Sequence, residues 1–186
     1  MAKAKTEFDI QNYLYGFLGQ RFTIFPNMNV ITGYEADIIA VSRAGYAYEY
    51  EIKTSLSDFR ADLRKLAKHA TLSGKMVKLI NSYSWSNKDI FIPESLTDSK
   101  FKWHYRCYPD LRPKQFWYVI SGFELTEKDV PEYAGLIDLS DGYKRIKQAP
   151  NLESKKVGQE RINHAINNML YRYWNMRISL PQGEGN

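Results

Sequence analysis

Asp37 and the run Glu51-Ile52-Lys53 supply two carboxyl groups and an amine from two nearby stretches of chain, and what they can do depends on how the backbone brings them together. Ala36-Asp37-Ile38-Ile39-Ala40-Val41-Ser42 is rich in apolar and β-branched residues, and Tyr46 to Lys53 alternates with period two, so both read as strands. Only Arg43, Ala44 and Gly45 separate them. A three-residue hairpin loop places its third residue in the left-handed region, where glycine meets no Cβ clash, and Gly45 holds that place. Pairing Ser42 with Tyr46 then sets Val41 opposite Ala47, Ile39 opposite Glu49 and Asp37 opposite Glu51.

Facing residues in an antiparallel pair have Cβ atoms roughly 4.5 to 5.5 Å apart, so two carboxylates there repel unless something compensates them. A divalent cation would. Lys53 follows Glu51 by two residues, on the same face and about 6.6 Å further along the strand. Its ammonium can hold an attacking water or neutralise charge on a phosphate. Oxygen-only ligands favour Mg²⁺ or Mn²⁺ over zinc, and such an ion polarises a phosphoryl oxygen and lowers the pKa of coordinated water. The set suits hydrolysis of a phosphodiester.

The flanking sequence supplies the elements that must hold this hairpin. Thr6 and Asp9 make a capping box, and Ile10, Tyr13, Leu14, Phe17 and Leu18 follow at helical spacing, which predicts a first helix to about Gly19. Phe22 to Val30 reads as a strand interrupted near Pro26. After the hairpin, Ser55 and Asp58 form a second capping box, and Phe59, Leu63, Leu66 and Ala70 lie on one stripe of a single helix. The positive end of that helix would favour an anion close to Lys53. From about Leu72 to Lys114 the pattern breaks into an insertion with little regular structure. Phe116 to Ser121 reads as a buried strand, Thr126 to about Tyr133 as a short helix, Gly135 to Leu139 as a strand and Tyr143 to Gln148 as an edge strand. In the last helix Ile162, Ala165, Ile166, Met169, Leu170 and Tyr173 recur at the spacing of one buried face, with Tyr173 and Trp174 read as core. Pro181 to Asn186 reads as a frayed tail.

The 186 residues are one ordinary domain by length, with no internal repeat and no dividing linker. Cys107 is the only cysteine, which excludes an intrachain disulfide and a multi-cysteine zinc site. With no apolar leader at Met1 to Lys5, it points to a reducing cytoplasm. No apolar run is long enough to span a bilayer. The net charge of +5 and pI near 9.1 are compatible with a polyanionic partner such as DNA. The basic residues fall in three groups: Arg60, Arg64, Lys65, Lys68, Lys75 and Lys78; then Lys100, Lys102, Arg106, Arg112 and Lys114; then Lys144, Arg145, Lys147, Lys155 and Lys156. Phe101, Trp103, Tyr105 and Tyr108 accompany the second group, either as base-stacking partners or as core.

The order of helix, strand, Asp-bearing strand, Glu-x-Lys strand and helix resembles the PD-(D/E)XK nuclease superfamily, with Asp37 for its acidic residue and Glu51-Ile52-Lys53 for its second element. More narrowly, the stretch from Glu51 to Asp62 is similar to the MmcB-like DNA-repair branch and related phage proteins. Glu35-Ala36 stands where the superfamily's proline precedes its acidic residue. The resemblance implies an α/β, restriction-endonuclease-like mixed β-sheet flanked by helices over residues 1–180. It also implies a Mg²⁺ (or Mn²⁺) site made by Asp37, Glu51 and the carbonyl of Ile52, with Lys53 as catalytic lysine and Glu7 of the first helix assisting. The activity implied is a metal-dependent deoxyribonuclease in DNA repair, recombination or phage DNA metabolism, with a homodimer as one assembly. The alternative is a catalytically inactive DNA-binding or repair-accessory protein of the same fold. Glu49 reads as a solvated strand residue. Asp58, Asp62, Lys65 and His69 form a further helical stripe, commonly a solvated surface. Lys65, Lys68 and His69 are the residues expected to touch nucleic-acid phosphates.

Overall fold

The structure, a computed structural model, describes residues 5–74 and 112–179. It is an α/β arrangement with a six-stranded mixed sheet flanked by helices. The elements are α1 (Glu7–Leu18), β1 (Phe22–Met28), β2 (Ala36–Ser42), β3 (Ala47–Lys53), α2 (Leu56–Asp62), α3 (Leu66–Ser73), β4 (Gln115–Ile120), β5 (Ala134–Asp138), β6 (Lys144–Lys147) and α4 (Gln159–Ser179). The strands lie in sequence order. The β1-β2, β2-β3 and β5-β6 pairs are antiparallel, whereas β3-β4 and β4-β5 are parallel. Parallel neighbours need a long crossover, and the one from β3 to β4 carries α2 and α3.

On one face of the sheet, α1 lays Ile10, Leu14 and Leu18 over Ile38, Ala40, Tyr50, Ile52, Trp117 and Val119. Its start is held by the expected capping box between Thr6 and Asp9. The apolar stripe is narrower than the sequence suggests, because Tyr13 and Phe17 are exposed. On the other face Phe59 of α2 and Leu72 of α3 pack on Phe116, Tyr118, Ile120 and Leu136. Beside them Ala165 of α4 meets Phe25, Ile39, Val41 and Ala47. In the middle of the sheet Trp117 lies across Gly135, its register partner; a Cβ there would stand 2.4 Å from the indole.

Three expectations are corrected. The single helix after Ser55 is two: α2 ends at Asp62 and α3 begins at Leu66, with Leu63 as the C-cap of α2 and Lys65 as the N-cap of α3. The segment from Thr126 to Tyr133 is a turn, closed where the Asp129 carboxylate accepts from the Thr126 N–H and hydroxyl at 2.6 and 2.7 Å. The last helix has the expected periodicity, yet only Ala165 of its stripe is buried, and Ile166, Leu170, Tyr173 and Trp174 are exposed. Periodicity marks an apolar face without saying whether anything covers it. The stretch of the expected insertion from 75 to 111, with Phe101, Trp103, Tyr105, Tyr108 and Cys107, lies outside the described residues, as does the tail from 181 to 186.

Two edges frame the sheet. β1 carries Pro26 and, at Asn27, a positive φ of 48°. β6 is Lys144-Arg145-Ile146-Lys147 and is largely open to solvent. No helix among the described residues is long and apolar enough to cross a membrane.

Candidate active site

The β2-β3 hairpin has the register read from its turn over Ile38 to Val41, but the pairing expected between Asp37 and Glu51 is not part of the ladder. Ile39 pairs with Glu49 and Val41 with Ala47, Gly45 has φ +86°, and the Ser42 N–H donates to the Tyr46 carbonyl at 2.9 Å. The ladder between these strands begins at Ile38 and Tyr50, so the last residues of β3 run past the end of that pairing. Asp37 fills the gap with its side chain: Oδ2 accepts from the Ile52 N–H at 2.7 Å. In a strand the N–H and C=O of one residue leave on the same side. The Asp37 carboxylate and the Ile52 carbonyl therefore share the margin of β3 that β2 no longer covers.

Glu51 and Lys53 lie on the α2-α3 face and are almost fully buried, at 1% and 4% exposure. Lys53 Nζ donates to Glu51 Oε1 at 2.9 Å and lies 3.5 Å from Asp58 Oδ2. The other oxygen, Oε2, lies 2.7 Å from Lys68 Nζ, a close ion pair without the direction of a hydrogen bond. The Lys65 ammonium approaches Oε1 to 3.7 Å from the solvent side.

The break between α2 and α3 makes this possible. A continuous helix would carry Lys68 away along its axis. Instead the chain turns after Asp62, held by the Lys65 N–H donating to the Asp62 carbonyl at 2.8 Å, and α3 brings Lys68 over the strand. Asp62, buried at 1% exposure, organises the turn. Its carboxylate takes Lys65 at 2.9 Å and Lys68 at 3.2 Å, and accepts from the Tyr118 hydroxyl at 2.9 Å. His69 uses its two ring nitrogens on the Tyr133 hydroxyl and the Asp62 carbonyl, at 2.7 and 2.8 Å.

Glu49 is not solvated. It is completely buried; its Oε2 accepts from the Tyr34 hydroxyl at 2.6 Å, while Oε1 has no hydrogen-bond partner and stands 3.9 Å from Lys68 Nζ. The stripe of Asp58, Asp62, Lys65 and His69 is likewise no solvated surface, since Asp62 is enclosed and His69 half-buried. Among the three residues expected at phosphates, Lys68 is withdrawn into the carboxylate cluster and His69 is engaged by Tyr133 and Asp62. Lys65 alone keeps a largely exposed side chain beside Glu51. Glu7 is exposed; it accepts from Gln11 Nε2 at 3.2 Å, and the same amide nitrogen reaches the Asp37 carbonyl at 3.5 Å.

The charges follow this packing. Burial raises the Asp37 pKa against the opposing pull of the Ile52 N–H and Lys53. Burial likewise raises Glu51, with Lys68 opposing and the Asp37 charge adding to the rise. Glu49 is pushed up to about 8 by burial, only partly countered by Lys68. Asp62 is also desolvated, but its bonds to His69 and the Lys68 charge hold it well below the usual carboxylate range. For Lys53, burial favours the neutral amine, yet the Glu51 ion pair more than offsets this and raises its pKa.

Among the described residues no group of three or more His, Cys, Asp or Glu side chains is arranged to hold a metal ion. A cation here would be held by two carboxylates and a backbone carbonyl. That donor set fits a hard ion: Asp37 and Glu51 are both desolvated, the Asp37 charge adds to the rise at Glu51, and Glu51 Oε2 makes no hydrogen bond.

The sequence reading missed Tyr34 and the joint role of Glu49, Asp62 and Lys68. The spacing of Asp62, Lys65 and Lys68 was a visible signal, but only the helix break turns it inward.

No family model matches the chain, and no curated protein does. Among solved structures, a protein of unknown function from Silicibacter pomeroyi, SPO1766, is similar, with 14% identity, a TM-score of 0.47, and coverage of 90% of this chain and 85% of its own.

Proposed function

We propose that the chain is a divalent-metal-dependent deoxyribonuclease built on a restriction-endonuclease-like domain, acting in DNA repair, recombination or phage DNA metabolism. The observation that carries this reading is the meeting, at one end of β3, of Asp37 on the Ile52 peptide with the Glu51-Lys53 pair. Asp37, Glu51 and the Ile52 carbonyl would hold Mg²⁺ or Mn²⁺. When bound, that ion supplies charge to a phosphoryl oxygen and acidifies a coordinated water. The protein's residues do the rest. Lys53, held charged by Glu51, faces the phosphate and stabilises the negative charge that develops on it. Asp62 fixes Lys65 and Lys68 around Glu51, so the carboxylate keeps one orientation. Lys65, largely open to solvent beside Glu51, would meet the DNA backbone. Glu7 assists through Gln11, which reaches the Asp37 backbone.

One observation favours the binding-only alternative: both Glu51 oxygens already face ammonium groups, from Lys53 and Lys68. The two readings separate on incubation with plasmid, single-stranded and branched DNA in Mg²⁺ or Mn²⁺. The nuclease reading expects cleavage that falls about 100-fold or more in Lys53→Ala. An accessory protein gives no cleavage above that control on any substrate, no metal binding by calorimetry, and salt-sensitive DNA retention unchanged by Glu51→Gln.

A further inference from the structure

The opposite end of β3 carries a second concentration of charge that the proposed chemistry does not use. A cavity of about 210 Å³ opens between the hairpin turn and the start of α4, lined by Arg112, Lys155, Lys156 and Arg161 with Val157 and Gly158. Ile31 and Ala47 complete its wall, so four of its eight lining residues are cationic and none is acidic. Ala47, Glu49, Glu51 and Lys53 alternate onto the same face of β3, which places the cavity about 20 Å from Lys53.

The surrounding structure holds Arg112 and Lys156 in place. The Arg112 guanidinium donates to the Leu72 carbonyl at 2.8 and 2.9 Å and packs where a Cβ on Gly74 would stand 2.8 Å away. Carbonyl acceptors leave its positive charge intact. Glu153, whose charge acts on Arg112, is outside the lining. The Lys156 ammonium lies 5.9 Å from the centre of the Tyr46 ring, on the side chain next to the hairpin turn. The segment is tied to that turn by the Val157 N–H, which donates to the Gly45 carbonyl at 2.8 Å. Gly158 is also where α4 begins, its carbonyl accepting from Arg161 and Ile162 at 3.0 and 3.2 Å, so the positive end of a 21-residue helix adds to the field. Glu160, in the same first turn, does not line the cavity.

We propose that this basic cavity is a phosphate-binding site. Arg112, Lys156 and Arg161 at the start of a helix make so small a space favourable to an anion, and guanidinium forks match the paired oxygens of a phosphate. Pockets that enclose a whole small-molecule ligand run from about 300 Å³ upward. This one takes a single phosphate group and leaves whatever is attached to it in solvent. The attached part is either nothing, as in inorganic phosphate, or a nucleic-acid strand. The site does not rest on the nuclease reading, because an inactive chain would keep it.

The full-length protein is titrated, in the presence of a chelator so that no turnover occurs, with inorganic phosphate, a short oligodeoxynucleotide and polyglutamate. Amide resonances of Val157, Gly158 and Arg161 report binding of the small ion, and fluorescence anisotropy that of the polymers. Two variants accompany the parent chain. Arg161→Gln removes one cation. Gly158→Glu adds a carboxylate where a Cβ meets nothing within 4 Å, and an acid at a helix start favours folding. The expected result is binding of phosphate, the oligonucleotide or both, about tenfold weaker or more in each variant. Phosphate binding alone assigns the site to a free ion, and oligonucleotide binding alone assigns it to the strand. For the oligonucleotide, the slope of log affinity against log salt falls by about 1 in Arg161→Gln. Parent-like affinity in Gly158→Glu, equal binding of polyglutamate, or no binding of either phosphate probe overturns the proposal.

Discussion

The two ends of β3 treat charge in opposite ways. Around Glu51, two acids and two lysines are sealed together: Glu51, Lys53, Asp62 and Lys68 are each less than 5% exposed and neutralise one another through contacts of 2.7 to 3.2 Å. At the hairpin turn, Arg112, Lys155, Lys156 and Arg161 surround an open space with no acid among the described residues of its wall. The same strand thus carries an enclosed cluster of both signs at one end and, some six residues away, a cavity whose charged lining residues are all cationic. The difference teaches that the buried end fixes geometry, because each partner there is required by another, while the open end has capacity for something outside the chain.

The contrast can be broken from the buried side first. Removing one member of an enclosed ion network strands the others without solvent, at a cost of about 3 to 5 kcal/mol. Asp62→Ala should lose that much in urea unfolding, and Lys68→Met a similar amount. The double variant should lose much less than the sum, since each removes the partner the other leaves stranded. An additive double variant would mean that the two do not share one network.

The buried side also predicts a pH dependence. Glu49 titrates near 8 in the fold against a usual value of 4.5. Between those values the folded chain holds a proton that the unfolded chain has released. Its contribution is therefore fully present below pH 4.5 and is lost as pH rises toward 8, with a slope of at most about 1.4 kcal/mol per pH unit. Unfolding followed from pH 5 to 9 with a chelator present should show this decline, and Glu49→Gln should flatten it. An unchanged slope in the variant would place the proton elsewhere.

At the open end the expected stability effect is smallest. Arg161→Gln should shift unfolding by no more than about 0.5 kcal/mol, because among the described residues no buried acid loses its counter-charge. A loss comparable to that of Asp62→Ala would erase the contrast.

Much of this arrangement can be read before any coordinates. The Arg43-Ala44-Gly45 loop dictates the register that pairs Ile39 with Glu49, because turn length and a positive φ at Gly45 leave the chain little choice. The Thr6 cap is local too, and it fixes the start of α1. What the sequence hides depends on tertiary cover. Glu49 looks like an outward residue of an alternating strand until α3 folds Lys68 over it, and α3 does so only because the helix stops at Asp62. A stripe such as Phe59, Leu63, Leu66 and Ala70 continues through that stop with no change of period. The opposite error occurs in α4, where a regular apolar stripe is left mostly in solvent.

The borders of the sheet have a consequence for how this protein keeps company with itself. A bare strand invites a stranger's strand to dock along it. Here Pro26 removes an amide donor and Asn27 bends the backbone out of line on one side, where Arg172 also takes up the Asn27 carbonyl at 2.8 Å. On the other side Lys144, Arg145 and Lys147 would set cation against cation if two copies tried to join. Both margins refuse recruits, so the six strands end as a closed roster rather than as the template for a fibre.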